Sequence, residues 1–345
     1  MSTMTQPLRV GVVGCGRMGR HHVRVASQAE GAELVAIADA SEERRTTLAE
    51  QFGGAPCANL DELLRVGVDA IVVATPTVTH REIVLRAAAA GVHCLVEKPL
   101  APDERTATEM AGAADRAGVA LQVGHVVRYD PVMVAVRGLA DITPRFIEMD
   151  RISPMTFRSV DVGVVLDMMI HDLDLLLMLV GSEPEEIHAN AVCVLGEAED
   201  ICNARLVFPA GRDGIRCVAN VTASRMALKT ERKIRIISED AYVSADFVAR
   251  QGTVVRKTAN AEQLETVRRQ LKDGDDLSGV NYLDLVKVEP LSVGAGDPLT
   301  LQFADFVKAV RTGQRPFVDA EAGSAAVRTA ERIVEAARAA GARMV

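Results

Sequence analysis

Apolar runs open the chain at intervals that leave room for a helix between each pair. Leu8–Val13, Glu33–Asp39, Asp69–Thr75, His93–Val96 and Ala120–Gly124 have the pattern of strands buried on both faces of a parallel sheet. Between them the spacing predicts helices over Met18–Ala29, Glu42–Phe52, Thr79–Ala90 and Asp103–Ala117. Gly31, Gly53, Gly91 and Gly118 stand just past their ends, where a left-handed cap is wanted. This alternation predicts a doubly wound α/β unit. From about residue 127 the rhythm changes. An apolar helix over Val164–Val180 precedes runs of two-residue period at Ile187–Leu195, Ala204–Phe208, Arg216–Ala223, Lys233–Ile237 and Tyr242–Phe247. Strands that follow one another without helices predict an open, mostly antiparallel sheet and hence a second, α+β domain. Ala261–Asp273 reads as a solvated helix, and helices at Leu299–Thr312 and Ala322–Ala340 close the chain. The expected boundary leaves residues 1–126 in the first domain and 127–345 in the second.

Composition changes this picture mainly by exclusion. Among 345 residues, 39 Lys and Arg face 47 Asp and Glu, a net charge of -8. That balance argues against general binding to nucleic acid or anionic membranes. With no Trp and three Tyr there is little material for stacking on bases. The six cysteines form no C-x-x-C pair and no zinc spacing, so no metal site is expected. Residues 1–7 lack the basic and apolar regions of a secretion signal, and Asp167, His171, Asp172 and Asp174 interrupt the longest apolar stretch. A cytoplasmic protein without a membrane span is expected.

The first strand runs into Gly14-x-Gly16-x-x-Gly19, and a helix follows. The first glycine permits the tight turn and the second lets backbone approach a pyrophosphate. The third allows helix and strand to pack closely, with phosphates at the positive helix end. Asp39 ends the second strand twenty residues after Gly19, where an acid bonds the adenosine ribose hydroxyls. A dinucleotide-binding Rossmann domain is therefore expected. The carboxylate repels a 2′-phosphate, which favours NAD over NADP, although Arg44 and Arg45 stand nearby.

On the later helix, Asp167, His171 and Asp174 fall at i, i+4 and i+7, one stripe, with Asp172 pointing elsewhere. Ionisable groups among Val, Leu, Met and Ile are costly to bury without partners or a ligand. Two readings stand: an Asp–His pair that only locks the helix, or an imidazole poised to take a proton from a substrate hydroxyl. A dinucleotide and a base are the minimum for oxidising an alcohol by hydride transfer.

Together with Glu97-Lys98-Pro99 after the fifth strand, these elements resemble the glucose-fructose oxidoreductase, inositol dehydrogenase and rhizopine-catabolism (Gfo/Idh/MocA) family. Ala74-Thr75-Pro76-Thr77 with His80, Gly124-His125 leading to Arg128-Tyr129-Asp130-Pro131, and Phe303–Pro316 extend the likeness over nearly the whole chain. The resemblance implies that Lys98, Asp167 and His171 form the catalytic set. It implies a cofactor site of Gly14, Gly16, Arg17, Met18, Gly19, Asp39, Thr75, Pro76, Thr77, His80, Glu97, Lys98 and Gln122, with a cis peptide before Pro99 aiming Lys98 inward. Substrate contacts are expected from Lys98, Arg128, Tyr129, Arg151, Arg158, Asp167, His171 and Arg225. The stretches Arg151–Asp161, Thr222–Arg225, Lys229–Arg235 and Ala241–Asp246 look like the branch that contains UDP-N-acetylglucosamine 3-dehydrogenases, whose 3-keto sugar nucleotide leads to a diamino sugar for lipid A. Arginines and lysines suit a diphosphate. Oxidation of a free sugar or polyol such as myo-inositol is the alternative, and a non-catalytic dinucleotide-binding sensor is the reading from another class. The open sheet face favours a homodimer or homotetramer.

Overall fold

A computed structural model describes residues 6–140, 142–156, 162–274 and 281–343. Its first half alternates as the periodicity requires: β1 (Leu8–Val13), α1 (Arg17–Gln28), β2 (Ala32–Ala38), α2 (Glu42–Phe52), β3 (Ala55–Cys57), α3 (Leu60–Arg65), β4 (Ala70–Val73), α4 (His80–Ala89), β5 (His93–Val96), α5 (Glu104–Ala117) and β6 (Leu121–Val123). The strands pair in parallel in the order β3-β2-β1-β4-β5-β6, the dinucleotide-binding arrangement with its reversal of order beside β1. Five strands are expected from the sequence and six are present. β3 is three residues long and contains Pro56, too short for a period to register.

Neighbouring residues of each strand bury on opposite faces. Val10, Val12, Val72 and Leu95 pack with Val23 of α1, whereas Val13, Ile71, Val73 and Val96 pack with Val84 of α4 and Met110 of α5. Every one of these eight strand residues is buried, which is why the strands read as continuous apolar runs rather than as alternation.

The remaining elements are α6 (Pro131–Arg137), β7 (Phe146–Ile152), a π-helical turn at Val165–Met169 that leads into α7 (Ile170–Val180), β8 (Glu186–Val192), β9 (Ile201–Ala210), β10 (Arg216–Ser224), β11 (Glu231–Ile237), β12 (Ala241–Asp246), β13 (Gln251–Lys257), α8 (Ala261–Asp273), β14 (Val286–Pro290), α9 (Pro298–Thr312) and α10 (Ala320–Ala339). Eight strands form one sheet in the order β14-β13-β12-β11-β7-β10-β9-β8. Every pairing is antiparallel except β7 with β10. Strict alternation on β7 buries Ile147, Met149 and Arg151 and leaves the residues between them partly open.

The two compact units do not follow a single break after residue 126. The first holds the chain to Asp130, then Val165–Leu177 and Gly296–Glu335, and the second holds Pro131–Val164, Met178–Ala295 and the chain from Ala336. The reason is packing. Phe303 and Phe306 of α9 are fully buried and complete the core against β1 and β2, and Ile170 packs with Ala326 and Val327. Periodicity along the chain carries no signal of such returns. No helix among the described residues is long and apolar enough to cross a membrane.

Candidate active site

At the C-terminal ends of β1 and β4 the first unit carries a cleft of about 590 Å³, within the ordinary range for ligand sites. Gly14, Gly16, Asp39, Thr75, Glu97 and Lys98 are among its walls. Backbone geometry explains two of the glycines. Gly14 has φ +97° and a Cβ there would lie 2.6 Å from the Ala74 carbonyl oxygen, while a Cβ on Gly19 would lie 1.7 Å from that of Gly14. At Gly16 a Cβ would meet nothing within 4 Å, and no side chain caps α1 at that end. Exposed backbone at a helix N-terminus, a cradle that a side chain would fill and an acid at the far wall fit a dinucleotide.

Asp39 stands one residue past β2. Its Oδ2 accepts from the Cys15 amide at 2.6 Å and its Oδ1 from the Ser41 amide at 2.8 Å. Each oxygen keeps a lone pair for a ribose hydroxyl. Arg44 lines the same cleft, whereas Arg45 donates to the carbonyls of Asp39 and Ala40. Burial, reinforced by Asp39, pushes the Cys15 thiol up to about 12, which leaves it an inert neighbour. Ala58, Asn59 and Leu60 also line the cleft and escape sequence reasoning. The signal was present: Asn59 caps α3 by accepting from the Glu62 amide, an Asn-x-x-Glu start.

Lys98 follows β5, and its peptide to Pro99 is cis, as the resemblance implies. Its Nζ donates to the Asp167 carbonyl at 2.6 Å and lies 3.2 Å from Asp167 Oδ1. The two side chains keep 18% and 36% of their exposure, so the pair meets solvent. Asp167 sits in the π-helical turn, whose wider spiral is common at functional sites. His171 begins the second residue of α7, half-buried, with Nδ1 on its buried side.

Asp174 departs from the expected stripe role. Both of its oxygens bind Arg128, at 2.7 Å each, and Arg128 also donates to the Phe317 carbonyl and lies over the Phe317 ring. Arg128, expected to meet substrate, thus directs three of its donors to partners inside the protein. Tyr129 is likewise internal, donating to Asp305 at 2.7 Å. Gln122 is fully buried and donates to Tyr129 and to the Gln302 carbonyl, and His80 sits between the carbonyls of Thr75 and Leu100. Burial pushes the His80 pKa down against those two hydrogen bonds. The His80 ring and the Gln122 amide nitrogen are thus engaged within the protein, and neither residue is among the cleft walls. Glu97 lines it but is bound to His22 of α1 at 2.7 Å, a partner that sequence reasoning missed.

In the second unit Arg151 is buried on the core side of β7. Arg225 donates to Asp200 at 2.7 Å and to the Val162 carbonyl at 2.8 Å, with the Asp200 carboxylate also accepting from the amides of Val194 and Leu195. These two arginines are thus built into the protein rather than spread on an open surface. Arg158 lies outside the described residues. Arg17, Met18 and Thr77 stand near the cleft in sequence, but only Met18 is among its walls. Among the described residues no three His, Cys, Asp or Glu side chains are grouped to hold a metal ion.

A glycine-cradled cleft at the switch point of a Rossmann sheet, with a lysine–carboxylate pair at its rim, defines a dinucleotide-binding oxidoreductase. Residues 8–125 match the family described as oxidoreductase family, NAD-binding Rossmann fold, and residues 144–244 match the GFO/IDH/MocA C-terminal domain. The chain belongs to the Gfo/Idh/MocA family. It is 31% identical over 316 residues to a UDP-N-acetylglucosamine 3-dehydrogenase from Acidithiobacillus ferrooxidans, covering 92% of this chain and 93% of that one. The solved structure of that enzyme superposes with a TM-score of 0.84 over 97% of this chain and 99% of its own. A myo-inositol 2-dehydrogenase from Thermotoga maritima is 28% identical over 337 residues, 93% of each chain.

Proposed function

We propose that the protein oxidises the C3 hydroxyl of UDP-N-acetylglucosamine with NAD, yielding the 3-keto sugar nucleotide. The coarser assignment, an oxidoreductase of sugars or sugar nucleotides, follows from family membership and the relatives' activities. The substrate rests on the likeness to the Acidithiobacillus enzyme over nearly the full length of both chains. One observation carries the chemistry: the Lys98–Asp167 pair stands at the rim of the dinucleotide cleft and remains open to solvent.

An ammonium has three donors. Asp167 takes two from Lys98, through its carbonyl and its carboxylate, and the third is free for the oxygen of the reacting hydroxyl. There the positive charge stabilises developing alkoxide character. His171, four residues on, takes the hydroxyl proton as general base. A bound nicotinamide dinucleotide supplies the acceptor for the hydride leaving the carbinol carbon. Asp39, held by the Cys15 and Ser41 amides, receives ribose hydroxyls and repels a 2′-phosphate, which favours NAD.

The test is the initial rate of NADH formation with UDP-N-acetylglucosamine, UDP-glucose, free N-acetylglucosamine, myo-inositol and glucose, with a carbonyl trap to drain the product. Activity confined to UDP-N-acetylglucosamine supports the reading. Activity confined to free polyols sinks it and favours the second reading, an inositol dehydrogenase, for which the Thermotoga relative speaks.

A further inference from the structure

Behind the proposed base lies a second histidine that the chemistry above leaves unused. His125 stands two residues past β6 and is 1% exposed. Among the described residues neither of its ring nitrogens has a hydrogen-bond partner. Its ring stands edge-on to that of His171, with centroids 6.1 Å apart and an angle of 86° between the planes. Four charged groups surround it, the carboxylates of Asp174 and Glu97 and the cations of Arg128 and Lys98. Burial outweighs them and pushes the pKa down, so the ring is neutral at neutral pH and carries one N–H and one lone pair.

The placement is tightly determined. At Gly124 a Cβ would lie 2.9 Å from Glu97 Cα, so only glycine lets the two segments approach this closely. Glu97 is fixed in turn by His22 at 2.7 Å. An apolar side chain of similar volume, such as leucine, would occupy the site without burying two polar atoms, and buried polar atoms of a native protein call for a use.

We propose that His125 is a positioning residue for the acid–base step: its lone pair receives the N–H on the buried Nδ1 of His171. This rests on the assignment of His171 as base. A hydrogen bond there fixes the Nδ1–H tautomer and leaves the Nε2 lone pair of His171 to accept the proton of the substrate hydroxyl. Once that proton has moved from oxygen to Nε2, His171 is a cation and the same hydrogen bond strengthens. With their centroids 6.1 Å apart the rings must approach by roughly 1 Å to form it, and catalytic hydrogen bonds commonly tighten when substrate is bound. A hydrogen bond to the charged form raises a pKa, so His125 makes His171 a stronger base.

The experiment follows ¹⁵N-labelled histidines by NMR through a pH titration of the cofactor-free protein, in wild type, His125→Phe and His125→Gln, with pH profiles of kcat/KM measured beside it. His125→Phe is expected to lower the His171 midpoint by about one unit and to mix its tautomers. The acid limb of kcat/KM then moves down by the same amount, and kcat falls about tenfold because a weaker base transfers the proton less readily. His125→Gln, whose amide oxygen accepts, is expected to restore both. If the phenylalanine variant does not fold, His125→Leu carries the same comparison against the glutamine. An unmoved His171 midpoint and tautomer in the apolar variant overturns the proposal even where His171 is essential for turnover. Full turnover by His171→Ala instead removes the base assignment itself.

Discussion

Two cation–carboxylate pairs draw their carboxylates from one helical segment, Lys98 with Asp167 and Arg128 with Asp174. The first keeps 18% and 36% of its exposure and the second almost none, 8% for Arg128 and 1% for Asp174. Lys98 reaches Asp167 with a flexible ammonium that retains a donor, whereas Arg128 engages Asp174 through two parallel hydrogen bonds and a carbonyl through a third. The same pairing of charges therefore does different work according to what remains unsatisfied. An open pair can exchange a partner for substrate, and a closed pair can only hold structure.

The comparison is broken most severely by variants that separate rate from stability. His171→Ala is expected to lower kcat by about 10²–10⁴-fold, the usual loss of a general acid–base group, with the denaturation midpoint close to wild type. Steady-state rates beside a thermal melt decide this. Wild-type turnover would rule out His171 as the base.

Asp174→Ala should show the opposite signature. Removing one partner strands the Arg128 charge inside the protein, a loss of about 3–5 kcal/mol of stability for a buried pair. Urea unfolding monitored by circular dichroism measures it, and kcat of the folded fraction should change far less than in His171→Ala. Equal stability in Asp174→Ala and wild type would mean that Arg128 finds solvent, and the contrast between the two pairs would lose its basis.

Asp39 is a carboxylate of intermediate standing, bound to two amides yet open to the cleft. Asp39→Ala is expected to raise KM for NAD about ten- to a hundredfold, the scale of a charge-assisted hydrogen bond, and to relax discrimination against NADP. An unchanged ratio of kcat/KM for the two cofactors would move the ribose contact elsewhere.

The same division between open and closed groups explains which parts of the site were legible. The glycines and Asp39 are defined by backbone geometry local to one strand–turn–helix, and their spacing in sequence carries that geometry. Lys98, Asp167 and His171 are recognisable from short motifs, although only the fold joins the first to the other two. Arg128, Tyr129, Gln122 and His80 belong to the same motifs, yet Asp174, Asp305, the Gln302 carbonyl and the Leu100 carbonyl engage the Arg128 guanidinium, the Tyr129 hydroxyl, the Gln122 amide nitrogen and the His80 ring, partners as many as 180 residues away. No spacing along the chain distinguishes a polar group waiting for ligand from one already paired. For the fold, long buried strands were legible because both faces are apolar, while β3, β13 and β14 lie at or near sheet edges and carry short or mixed patterns.

A third pair, His22 with Glu97, lies between the two extremes and yields the smallest effect. Burial alone would raise the Glu97 pKa, but the hydrogen bond and charge of His22, together with Lys98, hold it below its ordinary 4.5. A carboxyl whose pKa is depressed by folding stabilises the native state fully above its unfolded pKa and loses that contribution as pH falls through the folded value. The unfolding midpoint of wild type should therefore exceed that of Glu97→Gln by its full margin at pH 7. The two should converge as the pH drops below about 4.5, where Glu97 protonates in the unfolded and then in the native chain. Urea midpoints of both proteins from pH 7 down to pH 3 trace that margin. A gap that stays constant across the range would show that Glu97 acts through packing and neutral hydrogen bonding, as a closed group does, and not through its charge.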